Sequence, residues 1–324
     1  MTLRELRYLV AIADHGHFGR AAEACHVSQP TLSTQLKKLE AYLGVALVER
    51  GSRAALLTER GRQVVPRARL ILREAEQLIA STRACAGPLA GALQLGIIPT
   101  LSPYFLPWLL PAARKRFPEL QPIVHEDFTH MLLERLRTHR IDLAIMALPL
   151  EFEEFETEPL FDEPFWLACP RGHRLARMTR VPAAELQREN LLLLTDGHCL
   201  RGQALAMCGL QSPLQDPPQG DFRATSLETL CQLVAEGLGC TLLPALAALA
   251  PAATSFRFAV RPLAAPQASR RIGLVWRRHC PRRAEFMLLA QMVQAQPPRG
   301  TQRIGGSVGA SGKRRREAAP ELAD

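Results

Sequence analysis

FGRAAEACHVSQPTLSTQLKKLE, residues 18–40, joins two helical patterns through a turn rich in capping residues. The first, GRAAEACHV, carries Ala21 and Ala22 on one face. Ser28 then suits an N-cap and Pro30 the first turn of a second helix. Leu32, Leu36 and Leu39 fall on one side of that helix, with Thr31, Ser33, Thr34, Lys37 and Lys38 elsewhere. Gly44 ends it. Upstream, Leu6, Leu9, Val10 and Ala13 repeat at helical spacing, and downstream LVERGSRAALLT (47–58) reads as two short strands about a basic turn. Three helices and a wing make residues 1–58 a winged helix-turn-helix, a unit whose third helix can enter the major groove of DNA.

From Thr58 to about Ala86 the pattern is one longer helix, with residues 59–88 a linker. Val64, Ala68, Ile71, Ala75 and Leu78 are spaced 4, 3, 4, 3, a heptad seam suited to an identical partner helix. The alternative is packing against its own domain. Gly87, Pro88 and Gly91 break the helix.

Residues 89–295 alternate. ALQLGIIPT, PIVHEDF, DLAIMAL, FWLACP, CTLLP and RIGLVWR read as strands, and PYFLPWLLPAARKRF, HMLLERLRTHR and SLETLCQLVAEGLG as helices. The alternation predicts an α/β region with a mostly parallel sheet and a ligand cleft at its carboxyl edge. Its length suggests two lobes. After about Gln296 the chain turns to Pro, Gly, Ser and Arg, so 296–324 is expected to be a disordered basic tail containing KRRR at 313–316.

The 324 residues carry a formal charge of +9, compatible with a polyanionic partner. Residues 1–60 hold eight Lys/Arg against six Asp/Glu, a surplus of only two, so charge alone does not establish DNA binding. The opening MTLRELRYLVAIAD lacks a signal-peptide layout. The most apolar stretch, CTLLPALAALAPAA, is broken by Pro244 and Pro251. These features point to the cytoplasm and away from membranes. Eight cysteines without CxxC or CxH clusters argue against zinc and against a disulfide framework, and no cofactor is expected.

Cys199 and Cys208 bound DGHCLRGQALAMCG, which otherwise reads as one short helix stopped by Gly209. Nine helical steps span roughly 13.5 Å. A disulfide tolerates a Cα separation of at most about 7 Å. Helix and disulfide exclude each other, so oxidation of the pair would unwind the segment. Two buried, inert thiols are the other reading of the same spacing.

The chain resembles the LysR-type bacterial transcriptional regulators, and within them the peroxide-sensing members. Besides residues 18–40, the segments IPTLSPYFLP, HEDFTHMLL, LFDEPF, DGHCLRGQALAMC, RATSLETL and RRIGLVWR carry the resemblance, in order, over about residues 1–295. It implies a two-lobed, periplasmic-binding-protein-like regulatory region with Rossmann-like sheets. It also implies a homo-tetramer, a dimer of dimers, that binds promoter DNA, works with RNA polymerase and is not an enzyme. Hydrogen peroxide would oxidise Cys199, which then pairs with Cys208 until a thiol reductant resets it.

Cys199 opens its helix, where the dipole favours an anionic sulfur, and sits beside His198. By resemblance Thr100, Thr129, His198 and Arg270 line the peroxide site; Arg270, a fixed cation, is separated by only one position from Arg271. Both threonines precede helices, so capping is their plainer role. Gln29, Pro30, Thr31, Ser33 and Thr34 lead the recognition helix, and Lys37, Arg50 and Arg53 would meet phosphates or a minor groove. Cys25, Cys169, Cys231 and Cys240 read as core, and Cys85 and Cys280 as more exposed. The chain departs from the family pattern in SPLQDPPQG after Cys208, in its six further cysteines and in the tail. A small organic effector in the cleft is the rival within the family, and a thiol peroxidase the rival outside it.

Overall fold

The computed structural model describes residues 1–49, 55–82, 89–150, 152–208, 223–250, 257–264 and 268–304. Three helices open the chain: α1 (Leu3–His15), α2 (Phe18–Ala24) and α3 (Gln29–Leu43). Each begins at a side-chain cap. The Glu5 N–H donates to Thr2 Oγ1 at 3.3 Å while Glu5 Oε2 accepts from the Thr2 N–H at 2.8 Å. The Gly19 N–H donates to His17 Nδ1, and the Thr31 N–H to Ser28 Oγ. Gly16 and Gly44, with φ of 59° and 70°, take the left-handed turns that end α1 and α3. Leu9, Ile12, Leu32 and Leu39 are wholly enclosed between the helices, each contributing about 1.5–3 kcal/mol by burial.

The expected wing is described only at its base. A single bridge joins Val48 to Leu57, with the Glu49 N–H donating to the Leu56 carbonyl. Glu40 fixes its base: the buried carboxylate accepts from the Leu47 and Val48 N–H groups at 2.8 and 3.3 Å. The tip, including Arg50 and Arg53, lies outside the described residues.

Thr58 caps α4 (Glu59–Thr82), accepting from the Gly61 N–H. The heptad seam divides. Of its residues Ala68 is buried in the core of the N-terminal unit and Val64 packs against it, beside the non-seam Val65 and Leu72, whereas Ile71 and Leu78 are exposed together with Leu70. The reason is that α1 covers the first half of α4, which therefore serves its own domain before any partner helix.

The regulatory region runs β1 (Gly91–Ile97), α5 (Ser102–Arg116), β2 (Leu120–Glu126), α6 (Thr129–Arg137), β3 (Leu143–Leu148) and β4 (Phe155–Pro170). It continues with β5 (Leu193–Leu194), α7 (Cys199–Cys208), β6 (Arg223–Ala224), α8 (Leu227–Ala235), β7 (Thr241–Pro244) and α9 (Ala245–Ala248). β8 (Phe258–Pro262), β9 (Ser269–Arg277) and α10 (Arg283–Ala295) complete it. Strand order in the main sheet is β2-β1-β3-β9-β4-β7, with β8 also on β4.

Only part of this sheet is parallel, contrary to the expectation of a mostly parallel one. β1 pairs in parallel with β2 and β3, while β9 runs antiparallel to β3 and β4, and β7 and β8 antiparallel to β4. β4 is the cause. Its first half joins one core, around Phe105, Phe161 and Trp276, and its second half another, around Phe165, Leu230 and Leu243. It carries the chain from lobe to lobe, and β9 carries it back in the opposite sense. Pro159, which cannot donate to a ladder, stands where the β4–β9 register shifts.

At the C-terminus one helix goes unread in the sequence and the start of the tail differs from the expectation. α10 is a full helix burying Phe286, Leu289, Ala290 and Val293. Beyond Gln296 the chain keeps its order to Ile304, because Gln302 exchanges backbone bonds with Asp162 at 2.7 and 3.0 Å. Residues 305–324, with KRRR, lie outside the described residues.

Candidate functional site

Two parallel strands deliver the first elements of a site between the lobes. After β1 the chain turns through Thr100 into α5, and after β2 through Asp127 and Phe128 into α6. Neither threonine is a cap. Leu101 and Phe128 hold the cap positions, without side-chain bonds. The buried Thr100 hydroxyl instead accepts from Arg270 Nη1 at 2.8 Å, and the Thr100 carbonyl from Nη2 at 3.1 Å. Thr129 is the half-buried first residue of α6.

Strand alternation settles the arginine pair. Arg270 points inward and is 2% exposed, whereas Arg271 points outward and pairs with Asp162 at 2.8 Å. Arg270 is not the lone cation the sequence suggests. Its Nε donates to Glu163 Oε2 at 2.8 Å, and Glu163 Oε1 accepts from the Leu246 N–H at 2.9 Å. The adjacent Asp162 and Glu163 stand directly across β4–β9 from Arg271 and Arg270. This DE-against-RR match is the sequence signal for Glu163, a residue the motif reading passed over.

The opposite wall is the start of α7. Asp196 and Gly197 form a turn, and Gly197, at φ 99°, lies close under the Phe128 ring. His198 follows, buried, its ring edge-on to Phe128 at 4.7 Å between centroids. Its Nε2 lies 3.1 Å from the Thr225 carbonyl, which can only accept, so Nε2 carries the proton. Burial holds His198 below the usual imidazole range, against the opposing pull of the Thr225 carbonyl. The ring is therefore neutral, and its unprotonated Nδ1 can accept a proton or hydrogen bond rather than supply positive charge.

Cys199 is the first residue of α7 and half-buried, packed against the first lobe's core, while Leu200 enters the second. The helix persists to Cys208, so the two cysteines occupy its opposite ends. The Cys208 side chain, Gly209 and SPLQDPPQG lie outside the described detail. Tyr104 of α5 spans the lobes as well, donating to Glu228 at 2.8 Å.

Burial disfavours the thiolate form at the remaining described cysteines. Burial raises Cys25, Cys169 and Cys280, and pushes Cys231 and Cys240 up to about 12. Cys280 packs on the first lobe's core instead of lying open as expected. Cys85 is outside the described residues.

In the N-terminal unit, Gln29, Pro30, Thr31, Thr34 and Lys37 are exposed along α3, and Ser33 is half-buried. The Thr31 hydroxyl lies 2.7 Å from Ser28 Oγ, which ties the first turn together.

Comparison with known proteins matches both units of the chain. Residues 3–62 match the bacterial regulatory helix-turn-helix proteins of the lysR family, and residues 86–298 the LysR substrate binding domain. The DNA-binding transcriptional dual regulator OxyR of Escherichia coli K12 is 46% identical over 296 residues, 91% of this chain and 96% of that protein. A full-length OxyR cysteine variant from Pseudomonas aeruginosa superposes with a TM-score of 0.74 at 39% identity, covering 90% of this chain and 97% of the other. A hydrogen-peroxide-bound OxyR cysteine mutant from Corynebacterium glutamicum gives 0.62 at 38% identity, covering 91% and 93%.

Proposed function

The chain belongs to the LysR family of bacterial helix-turn-helix regulators, and from that premise we propose that it activates antioxidant genes when hydrogen peroxide links Cys199 to Cys208. One observation carries the reading: a helix with a cysteine at each end, the first of them packed at the junction of the lobes. Its relatives include regulators named for hydrogen peroxide.

The Cys199 sulfur, as thiolate, attacks one peroxide oxygen; the O–O bond breaks, sulfenic acid forms and hydroxide leaves, taking a proton to become water. Thr100 and Thr129 position the peroxide. Arg270, held by Glu163, fixes the Thr100 hydroxyl, and the neutral His198 accepts a hydrogen bond at Nδ1. The Cys208 sulfur then attacks the sulfenic sulfur, the S–OH bond breaks and a second water leaves. That step requires ends roughly 13.5 Å apart to approach within about 7 Å, so α7 unwinds.

The unwound segment alters how the lobes pack between subunits, and through α4 the spacing of the DNA-binding units. Gln29, Pro30, Thr31, Ser33 and Thr34 meet base edges, while Lys37, Arg50 and Arg53 meet backbone. Promoter DNA, RNA polymerase, a thiol reductant and three further copies of the chain are the partners. The exposed Leu70 and Ile71 suit a partner helix. Residues 1–58 bind DNA, 59–88 link, 89–295 sense, and 296–324 trail, with the sensing unit's last turn carried on to Ile304. The protein works in the cytoplasm, without turnover, as a switch and not an enzyme. Among the described residues no helix is long and apolar enough to cross a membrane.

Peptide mapping after brief stoichiometric peroxide tests this reading. A Cys199–Cys208 cross-link that precedes any other thiol oxidation is expected; oxidation elsewhere with these two still reduced contradicts it.

A further inference from the structure

A second chemical cluster lies in the second lobe, built from segments other than α7. His173, Glu189 and Cys240 come from three separate segments, yet their ligand atoms all lie within 4.8 Å of one another. His173 Nε2 is 3.0 Å from Glu189 Oε2. The other carboxylate oxygen, Oε1, accepts from Arg174 Nη2 at 2.6 Å, which orients the carboxylate and leaves Oε2 facing inward.

The sheet brings a fourth candidate. β4 and β7 pair antiparallel with Ala168 opposite Thr241, so the next step sets Cys169 opposite Cys240. The Cys240 N–H donates to the Asn190 carbonyl and its own carbonyl accepts from the Leu192 N–H, both on the side away from β4. Continued one step past the end of the ladder, this register brings Cys169 and Cys240 side by side with both side chains on one face. Both are buried, at 0% and 2% exposure, while His173 stays half-exposed as an entrance.

We propose that Cys169, His173, Glu189 and Cys240 bind a thiophilic divalent cation, with zinc as the natural fit. Two sulfurs, one imidazole nitrogen and one carboxylate oxygen are a zinc donor set, and bonds of about 2.0–2.3 Å place tetrahedral ligand atoms roughly 3.3–3.8 Å apart. His173, Glu189 and Cys240 need only a small contraction to reach this, and the Cys169 sulfur has to swing in to complete the set. Binding releases two thiol protons, and the ion's two positive charges meet three negative ones. The excess of one is offset by the Arg174 guanidinium, already on Glu189. The His173 proton moves from Nε2 to Nδ1, so the 3.3 Å contact from the Leu175 N–H to Nδ1 gives way. Spacing in the sequence conceals the site, since its residues come from β4, the turn after it, the end of a short 3₁₀ segment and the position just before β7.

The proposal is independent of the peroxide reading, and its test removes that chemistry. The reduced full-length protein carrying Cys199→Ser and Cys208→Ser is titrated with Co2+, whose tetrahedral thiolate complexes absorb strongly in the visible. One Co2+ per chain with that spectrum, displaced by Zn2+, is expected. Cys240→Val, which keeps the apolar packing, abolishes the spectrum, and His173→Gln at the half-exposed entrance weakens affinity at least tenfold. His173→Gln decides the matter even if the buried variants fail to fold. Absence of the tetrahedral spectrum in the double variant, its survival in Cys240→Val, or unchanged affinity in His173→Gln would overturn the site.

Discussion

Arg270 carries a full charge where no water reaches it, and it persists there because Glu163 and Thr100 take up its hydrogen bonds. Breaking a fully buried pair strands the remaining charge at a cost of about 3–5 kcal/mol. Glu163→Gln should therefore lower unfolding stability by that order and slow Cys199 oxidation, since the Thr100 hydroxyl loses its anchor. Asp162→Asn, one residue away, loosens only the half-exposed Arg271 pair and should cost no more than about 1 kcal/mol. Chemical denaturation of the two variants checks the contrast; equal losses would contradict it. Cys199→Ser should retain promoter binding in a gel-shift assay and lose the peroxide response, and an undiminished response would remove the mechanism. The choice between Arg270 and Arg271 was not legible from the motif alone, because strand register decides which side of β9 faces inward. Glu163 was equally hidden until β4 and β9 were set side by side.

Elements were legible wherever local chemistry specifies them. Ser28, Pro30 and Gly44 mark both ends of α3 in the sequence, and the helix runs between them. Ser28→Ala should cost about 1 kcal/mol of stability through the lost cap. Thr31→Ala, on the exposed face, should weaken promoter affinity by about 1 kcal/mol, roughly fivefold, with the rate of thiol oxidation unchanged. Thermal unfolding reads the first effect and fluorescence anisotropy on promoter and random duplexes the second; loss of affinity for both sequences alike would make Thr31 a structural residue instead of a reading one. Elements set by distant contacts were not legible. The wing depends on Glu40 reaching back to the Leu47 and Val48 amides, and β4 is one long strand only because two cores share it. α10, rich in the same apolar residues as its neighbours, follows a basic, Pro-containing stretch that masks its start.

Across the whole molecule, ion pairs tie the DNA-binding unit to the sensing lobe. Asp14 of α1 meets Arg69 of α4 at 2.5 Å and Arg140 at 3.4 Å, and Asp142 meets Arg73 of α4 as well as Arg282. His139 sits in this junction with its Nδ1 buried and unpartnered. Burial, aided by Arg277 and Arg73, pushes it down to about 4. The unfolded chain, with a histidine near 6.5, takes up the proton first as pH falls, so the contribution to stability declines from about pH 6.5 to 4. His139→Gln should flatten the pH dependence of the melting temperature in that window by up to one proton, and an unchanged slope would place the titration elsewhere. On the proposed function a change at α7 has to cross this junction to reach DNA, so the switch has to be read in the intact protein. Hydrogen exchange across residues 199–208, before and after one equivalent of peroxide, provides that reading. The expected result is loss of amide protection in step with the Cys199–Cys208 cross-link; a cross-linked protein whose helix keeps its protection would contradict the account.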